Sequence, residues 1–381
     1  MKQVMLIAGE ASGDLLAAEL VSALGELAPA AECFGAGGPR MAAAGVDLHC
    51  DLTQHAVIGL WEAVRKYFDF RKLLNELLQL AVERRPDVIV CVDFGGFNSR
   101  FAAALRDYQR NFLAHWDWHP KLVQFVSPQV WASRPGRADT LARNFDKLLC
   151  ILPFEKDWWH ERIPDFPVEF VGHPIIGRHA APHQPEPTGL PRPLIALMPG
   201  SRRGELRQHL PLITEAALRI AEAGRFEFRM LLPNEEARNL AAAHVAKIPN
   251  CSAPVGNPAD VLGEATVALS KTGTITLECA LFGVPTVTFY QTSPFTYFIG
   301  RRLVTVPYLS MPNLLASQPV FPEFVQDDAT PESLANAVLS LLKNPAERLE
   351  RQRVLKEVIA TLGRPGAAGR AARAIIKLTE K

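Results

Sequence analysis

The chain has 381 residues, enough for two or three domains that each bury a hydrophobic core. With 48% hydrophobic and 21% charged residues, its composition excludes disordered, collagen-like and coiled-coil architectures. Its 41 Lys and Arg residues nearly balance 40 Asp and Glu residues, so no net charge draws it to nucleic acid or to a membrane. We therefore expect no nucleic-acid partner, and any membrane contact must be local.

Short apolar, β-branched runs alternate with longer helical patterns along the chain, which is typical of parallel βαβ units. A segment at 182–193 with five prolines reads as a linker or a surface loop, and the alternation then restarts. This pattern predicts an α/β protein with two doubly wound parallel sheets in tandem. The predicted strands are residues 4–8, 88–92, 122–126, 147–152 and 169–171, then 194–198, 227–232, 266–269 and 286–289.

The cysteines and the first residues indicate a cytoplasmic protein. The six cysteines form no CxxC pair, and Cys91 and Cys150 lie inside apolar runs, as buried thiols do. The first residues carry neither the apolar core nor the cleavage site of a signal peptide. No apolar run approaches the length that spans a bilayer.

The loop after the first strand, residues 9–14, is a small turn with a candidate acid or base. Ser12 and Asp14 are explained by capping of the helix that follows, which we expect to begin near Leu15. Capping does not explain Glu10, which we take as a candidate catalytic residue. A nucleophilic serine is less favoured, because a hydrolase elbow needs the spacing G-x-S-x-G.

Asp93 ends the strand at 88–92 and is followed by two glycines, which allow another backbone or a ligand to approach closely. A partly shielded carboxylate at a strand end is suited to act as a general base toward a sugar hydroxyl. The alternative, that Asp93 caps the next helix, stays equally open at this stage.

Two loops in the second half are suited to bind a diphosphate. Each combines a strand end, a glycine and hydroxyls with a helix start, whose backbone N–H groups attract anions. Together they indicate a nucleoside diphosphate, with a carboxylate one turn into the second helix for the ribose hydroxyls. The candidate residues are Gly200, Ser201 and Arg202 in the first loop and Thr272, Gly273, Thr274 and Glu278 in the second.

Absent motifs narrow the chemistry further. The chain contains neither GxxxxGK[ST] nor Asp-x-Asp, so a P-loop ATPase and a carboxylate-held metal are not expected. Helix N-termini and arginine would then neutralise the leaving diphosphate, and we expect no metal or other cofactor. The run His-Trp-Asp-Trp-His at 115–119 fits a surface loop better than a metal site.

The predicted helix at 58–82 has more apolar surface than one buried stripe needs. Helical spacing places Leu74, Leu78 and Ala81 on its core face, while Leu73 and Leu77 fall outside it. Aromatic and basic side chains interleave here, which suits docking on an anionic bilayer, and burial between layers or at a subunit contact remains the alternative. The residues concerned are Trp61, Arg65, Lys66, Tyr67, Phe68, Phe70 and Arg71.

Ordered motifs over nearly the whole chain resemble one enzyme family. They are AGEASGD at 8–14, GGPRM at 37–41, FVSPQVWA at 125–132, LPFEK at 152–156, FVGHP at 170–174, PGSR at 199–202 and LSMPNLL at 309–315. The sequence resembles the lipid-A-disaccharide synthases, inverting glycosyltransferases of bacterial outer-membrane lipid A biosynthesis.

The resemblance implies the GT-B fold, in which two Rossmann-like domains face across a cleft and a C-terminal helix returns to the first. It implies an acceptor and lipid domain at 1–172, completed by 345–381, and a UDP-sugar domain at 173–344. It also implies that Asp93 is the base and that Arg202 and Asn313 belong to the donor site. The chain departs from the family at 93–98 and at 272–274, and residues 107–120 form a lengthened connection.

The implied reaction joins UDP-2,3-diacylglucosamine to 2,3-diacylglucosamine 1-phosphate (lipid X), giving a β-1,6 disaccharide and UDP. The implied location is the cytoplasmic surface of the inner membrane of a Gram-negative-type bacterium, with peripheral attachment and room for a homodimer. The alternatives are an enzyme resembling UDP-N-acetylglucosamine 2-epimerase and a non-catalytic UDP-sugar or lipid-binding protein on the same scaffold.

Overall fold

The structure is a computed structural model that describes residues 1–53, 60–112, 118–179 and 192–380, with the helix but not the side chains for 60–69, Phe112, Phe295 and Ile299. The chain forms two compact units: Met1–Arg178 with Leu362–Lys381, and His179–Thr361. The helix at 345–361, which the sequence analysis placed with the first domain, therefore belongs to the second unit. The reason is packing, since Leu355 is buried in a cluster with Cys279 and Phe321.

The first unit contains a parallel sheet of seven strands in the order β3-β2-β1-β4-β5-β6-β7. Its strands are β1 (Gln3–Ala8), β2 (Glu32–Gly37), β3 (Asp47–Asp51), β4 (Val88–Val92), β5 (Lys121–Phe125), β6 (Lys147–Cys150) and β7 (Val168–Phe170). Its helices are α1 (Ala11–Leu27), α2 (Pro39–Ala43), α3 (Leu60–Arg84), α4 (Gly95–Phe112), α5 (Val130–Ser133), α6 (Ala138–Asn144) and α7 (Pro153–Arg162), with a 3₁₀ turn at Pro135–Arg137.

The second unit repeats the arrangement with six parallel strands in the order β10-β9-β8-β11-β12-β13. Its strands are β8 (Leu194–Met198), β9 (Glu227–Met230), β10 (Cys251–Ser252), β11 (Val267–Lys271), β12 (Thr286–Tyr290) and β13 (Glu323–Val325). Its helices are α8 (Arg203–Glu222), α9 (Glu235–Val245), α10 (Ala259–Leu262), α11 (Ile275–Leu281), α12 (Pro294–Leu303), α13 (Met311–Ala316), α14 (Pro331–Lys343) and α15 (Pro345–Thr361), with a 3₁₀ turn at Gln326–Asp328.

The last helix, α16 (Ala367–Thr379), packs on α1 in the first unit. Its buried side chains are mostly alanines, which let the two helices approach closely, and Ile375 adds a larger contact to the same core as Leu16 and Leu20. The prediction of two doubly wound parallel sheets with a C-terminal helix on the first is therefore confirmed.

Candidate active site

The predicted loops follow the four strands that flank the point where each strand order reverses. In the first sheet these strands are β1 and β4, and in the second they are β8 and β11. Parallel α/β sheets bind ligands beyond the carboxyl ends of the strands at this switch point. The structure therefore brings Glu10 together with Asp93 in one unit, and the loop at 199–202 together with that at 272–274 in the other.

The backbone of Asp93 is held in an unusual conformation. Asp93 and Phe94 have φ angles of 50° and 43°, which cost non-glycine residues of order 1–3 kcal/mol each. Asp93 N–H donates to the carbonyl of Phe125 at 2.8 Å, and its carbonyl accepts from Asn98 Nδ2 at 2.8 Å and Gln124 Nε2 at 3.1 Å. Both amide side chains are buried, so these bonds are shielded from water and fix the turn of Asp93 and Phe94 between β4 and α4.

The first turn of α1 approaches the Asp93 carboxylate. Ser12 Oγ lies 3.4 Å from Asp93 Oδ2, and Asp93 is half-buried, so its carboxylate is both positioned and accessible. Glu10 occupies the N-cap position of α1, without a side-chain cap bond, and is also half-buried. Helix α1 begins at Ala11, earlier than the sequence analysis expected. Asp14 caps a different helix, because it accepts N–H bonds from the start of α2, at Gly38, Arg40 and Met41.

Gly9 is needed because the ring of Phe94 leaves no room for a side chain at this position. A Cβ at Gly9 would lie 2.2 to 2.5 Å from atoms of the Phe94 ring. We predict that Gly9→Ala displaces Phe94 and the adjacent Asp93, lowers turnover, and destabilises the unit by about 1–3 kcal/mol, which lowers Tm by about 3–10 °C. Calorimetry and a transfer assay on the same samples measure both effects.

Gly25→Ala is the matched control for that prediction. Gly25 lies in α1, and a Cβ at this position would have no neighbouring atom within 4 Å, so alanine should stabilise the helix by up to about 1 kcal/mol and leave turnover unchanged. Wild-type Tm and turnover in Gly9→Ala would show that the Phe94 contact does not hold the loop.

A buried glutamate supports the neighbouring loop after β5. Glu155 Oε1 accepts a bond from Trp131 Nε1, and its Oε2 accepts one from the Leu152 N–H, each at 3.0 Å. Burial raises the pKa of Glu155 to about 7, although these donors favour the charged form. His173, also buried, shifts the other way: burial and then the charge of Arg178 lower its pKa to about 4.

These two shifts predict opposite dependences of stability on pH. The raised pKa of Glu155 means that its contribution is full below its unfolded pKa near 4.5 and is lost as pH rises through 7. His173 contributes above 6.5 and loses that contribution as pH falls toward 4. In the wild type the two trends largely offset each other between pH 5 and pH 8.

We predict that Glu155→Gln removes one of the two trends. The difference in unfolding free energy, variant minus wild type, should be larger at pH 8 than at pH 5 by about 2–3 kcal/mol. Denaturant titration at both pH values measures it. Glu161→Gln, at an exposed position of α7, controls for loss of a carboxylate. If the difference in unfolding free energy between Glu155→Gln and wild type were the same at both pH values, it would contradict the raised pKa of Glu155.

The loop after β8 presents exposed groups at the start of a long helix. Gly200 has a φ of 121°, and a Cβ there would meet the Glu205 carboxylate at 2.9 Å. Arg202 is the N-cap of α8, and Ser201, Arg202 and Gly204 are exposed. The first N–H groups of a helix have no carbonyl partner within it, so this end attracts an anion.

Lys271 links the two loops of the second unit. Its Nζ lies 3.0 Å from Glu205 Oε1, and Arg202 Nη1 lies 3.7 Å from the same oxygen. Burial raises the pKa of Glu205, but the charge and hydrogen bond of Lys271, together with the charge and backbone N–H of Arg202, outweigh burial, so the net direction is down. The site therefore contains two cations and one compensating carboxylate. Lys271, the last residue of β11, is not among the residues predicted from the sequence, although it directly precedes Thr272.

His209 contacts the backbone at the start of the loop after β8 and is not among the residues predicted from the sequence. Its buried imidazole places Nδ1 2.8 Å from the Pro199 carbonyl and Nε2 3.1 Å from the Gln291 carbonyl. A carbonyl only accepts, and both ring nitrogens face one, so a neutral imidazole donates to only one of them; the shorter contact is the one with the Pro199 carbonyl. Because the C=O and N–H of a trans peptide point in opposite directions, this contact turns the Gly200 N–H away from the imidazole. A lone histidine on the apolar face of α8 was the available signal.

The residues of the loop after β11 differ in exposure. Thr272 is buried, and its N–H donates to the Phe289 carbonyl at 2.9 Å, whereas Gly273 and Thr274 are exposed. Gly273 has a φ of 156°. Glu278 lies one turn into α11, with His179 Nε2 4.0 Å from its Oε2.

Asn313 supports the backbone around it and does not face an open site. It is fully buried, its Nδ2 donates to the Phe321 carbonyl at 2.7 Å and to Glu323 Oε1 at 2.8 Å, and its Oδ1 accepts from the Phe321 N–H at 2.7 Å. Glu323 also accepts from the N–H groups of Leu309 and Ser310. In this arrangement Asn313 and Glu323 shape the loop of residues 309–315 through its backbone.

On α3 the buried stripe differs from the predicted one. Leu73 and Leu77, which the spacing placed outside the core face, are buried in the core with Ala81. This side of α3 packs on the sheet. Phe70 is half-buried, with its ring centroid 6.1 Å from that of Phe94, and Arg71 is exposed. The side chains of Trp61, Arg65, Lys66, Tyr67 and Phe68 lie outside the described residues.

Neither a membrane-spanning helix nor a cluster of metal-ligating side chains occurs among the described residues. None of the helices in that part of the chain is both long enough and apolar enough to cross a bilayer. Within the same residues, no three His, Cys, Asp or Glu side chains are grouped as metal ligands would be.

Solved structures share this fold. The calicheamicin glycosyltransferase CalG4 matches 99% of this chain and 98% of its own, with a TM-score of 0.63 and 16% identity. The UDP-GlcNAc 2-epimerase from Neisseria meningitidis matches 99% of each chain, with a TM-score of 0.59 and 13% identity. At such identities the likeness shows the fold alone. That fold is the predicted GT-B class.

Sequence comparison resolves the family within that class. A family model described as lipid-A-disaccharide synthetase matches residues 4–377. The lipid-A-disaccharide synthase of Solibacter usitatus (strain Ellin6076) is 37% identical, covering 100% of this chain and 98% of that protein. The chain belongs to the lipid-A-disaccharide synthase family and is a glycosyltransferase.

Proposed function

We propose that the enzyme transfers the sugar of UDP-2,3-diacylglucosamine to the 6-hydroxyl of 2,3-diacylglucosamine 1-phosphate, with inversion. The products are the β-1,6-linked disaccharide 1-phosphate and UDP. Family membership supports the substrates, and the observation that carries the mechanism is the fixed Asp93 at the β1–β4 switch point. The first unit is then the acceptor unit and the second the donor unit.

In this mechanism Asp93 accepts the proton of the 6-hydroxyl as that oxygen bonds to the donor anomeric carbon. The bond from that carbon to the diphosphate breaks on the opposite face, and its electron pair leaves with UDP. Helix α8, Ser201, Arg202 and Lys271 stabilise the leaving charge, with Gly273 and Thr274 from the second loop. Glu10 orients the hydroxyl, Glu278 binds the ribose, and Thr272 and Asn313 support the donor loops.

We propose that no metal takes part, because arginine, lysine and a helix N-terminus supply the positive charge that the leaving diphosphate needs. Turnover should be unchanged after treatment with a chelator. A lost activity that Mg²⁺ alone restored would contradict this proposal.

We propose peripheral attachment to the cytoplasmic surface of the inner membrane through α3. Its exposed Arg71, and the aromatic and basic residues earlier in the helix, suit an anionic headgroup layer. Homodimer formation is an additional proposal, and size-exclusion chromatography with light scattering tests it.

Incubating the purified protein with the lipid donor and labelled acceptor tests the function. We expect UDP release only when both lipids are present, together with a labelled disaccharide. Interconversion of UDP-N-acetylglucosamine without an acceptor would instead indicate an epimerase, and binding without any product would indicate a non-catalytic protein.

A further inference from the structure

The second unit carries an exposed apolar surface outside the proposed site. Among the residues that the structure describes, three of the exposed large apolar side chains lie at the end of α12. They are Phe298, Leu303 and Val304, with 48%, 36% and 38% of their surface exposed. Large apolar side chains grouped on one exposed element indicate an interaction surface more strongly than scattered ones do.

Positive charge accompanies these apolar side chains. Arg301 and Arg302 are exposed, and the guanidinium carbon of Arg302 lies 4.0 Å from the centroid of the Phe298 ring. From Cys279 to Pro322 the chain contains no Asp or Glu, although it has 40 of them in total. We call Phe298, Arg301, Arg302, Leu303 and Val304 the α12 surface.

The helix that carries the α12 surface is capped at its first turn. Ser293 caps the helix by accepting a bond from the Thr296 N–H at 3.2 Å. Helix α12 follows β12 and so leaves the sheet at its carboxyl edge, the edge that also carries the loops after β8 and β11. A partner on this surface would therefore meet the unit at the edge that holds the proposed donor loops.

We propose that the α12 surface docks on an anionic phospholipid bilayer. Interfacial helices insert aromatic and aliphatic side chains below the headgroups, while arginines remain at the level of the phosphates. The combination of apolar and cationic side chains without acids has that complementarity. Three apolar side chains are few for a stable protein interface, which buries about 800 Å² on each partner, but suffice to add to a membrane contact.

Vesicle binding by the full-length protein tests this docking. The probes are phosphatidylcholine vesicles with and without phosphatidylglycerol, and the variants are Phe298→Ser with Leu303→Ser, and Arg301→Gln with Arg302→Gln. Each pair should lower the partition coefficient on anionic vesicles by about tenfold or more. UDP affinity and Tm report the folding of each variant. The arginine pair tests the docking independently if the serine pair does not fold.

Leu27→Ser with Leu349→Ser is the matched control, because both leucines are exposed large apolar residues elsewhere on the chain. It should bind vesicles within about twofold of wild type. Wild-type binding by the folded α12 variants, or an equal loss in the control, would overturn the docking. So would unchanged vesicle binding with a raised KM for the lipid donor, which would assign the surface to acyl chains. Vesicle binding is measured without turnover, so failure of the proposed reaction stays distinguishable.

Discussion

Replacing Asp93 by Asn should lower kcat by about 10²–10⁴-fold, because the amide cannot accept the proton of the acceptor hydroxyl. Asparagine tolerates a positive φ better than most residues, so it suits the backbone angle of 50° at this position. The buried bonds from Asn98 and Gln124 go to the Asp93 carbonyl and survive the change. UDP affinity should therefore stay within about twofold of wild type.

Steady-state kinetics and calorimetric titration with UDP check this prediction. Ser12→Ala removes the hydroxyl that lies 3.4 Å from the Asp93 carboxylate, and its effect on kcat should be far smaller. If Asp93→Asn turned over at the wild-type rate, Asp93 would not be the base, and Glu10 would become the next candidate.

Replacing Arg202 by Ala should lower kcat/KM for the donor by about 10–100-fold, since hydrogen bonds to charged groups are worth roughly 1.5–3 kcal/mol. Both kcat and KM should change, because the diphosphate is bound in the ground state and gains charge as the sugar leaves. Arg202→Lys should recover only part of the loss, since lysine lacks the planar fork of donors.

Arg203→Ala is the matched control for Arg202. Arg203 is the next residue, is similarly exposed, and lies 3.7 Å from Glu236 in a surface ion pair. Such pairs contribute about 0–1 kcal/mol, so kcat/KM should change by less than about fivefold. Equal effects of the two substitutions would indicate a general electrostatic contribution and reject a specific contact with the leaving group.

The sequence predicted the central strands well because these are buried on both faces and read as continuous apolar runs. Val88–Val92 and Leu194–Met198 agree with the structure residue for residue. Strand β2 was not predicted, since Gly35 and Gly37 interrupt its pattern. Gly35 is nevertheless required there, because its φ is 147° and a Cβ at this position would lie only 2.0 Å from the Leu6 carbonyl oxygen.

The site was predictable where its residues are neighbours in sequence. The loops at 9–10, 93–94, 199–202 and 272–274 each follow a strand, and the strand order alone places them at two switch points. The supporting residues were not predictable, since Gln124 contacts Asp93 across 31 positions and His209 contacts Gln291 across 82. A single polar residue inside an apolar strand or helix face marks such a contact but does not name its partner.

A crystal structure of the enzyme with UDP tests the central claim most directly. We predict diphosphate density at the start of α8, within hydrogen-bond reach of Ser201 and Arg202 and beside Gly273, with the ribose near Glu278. Nucleotide bound elsewhere, or no density at that position at saturating UDP, would contradict the account.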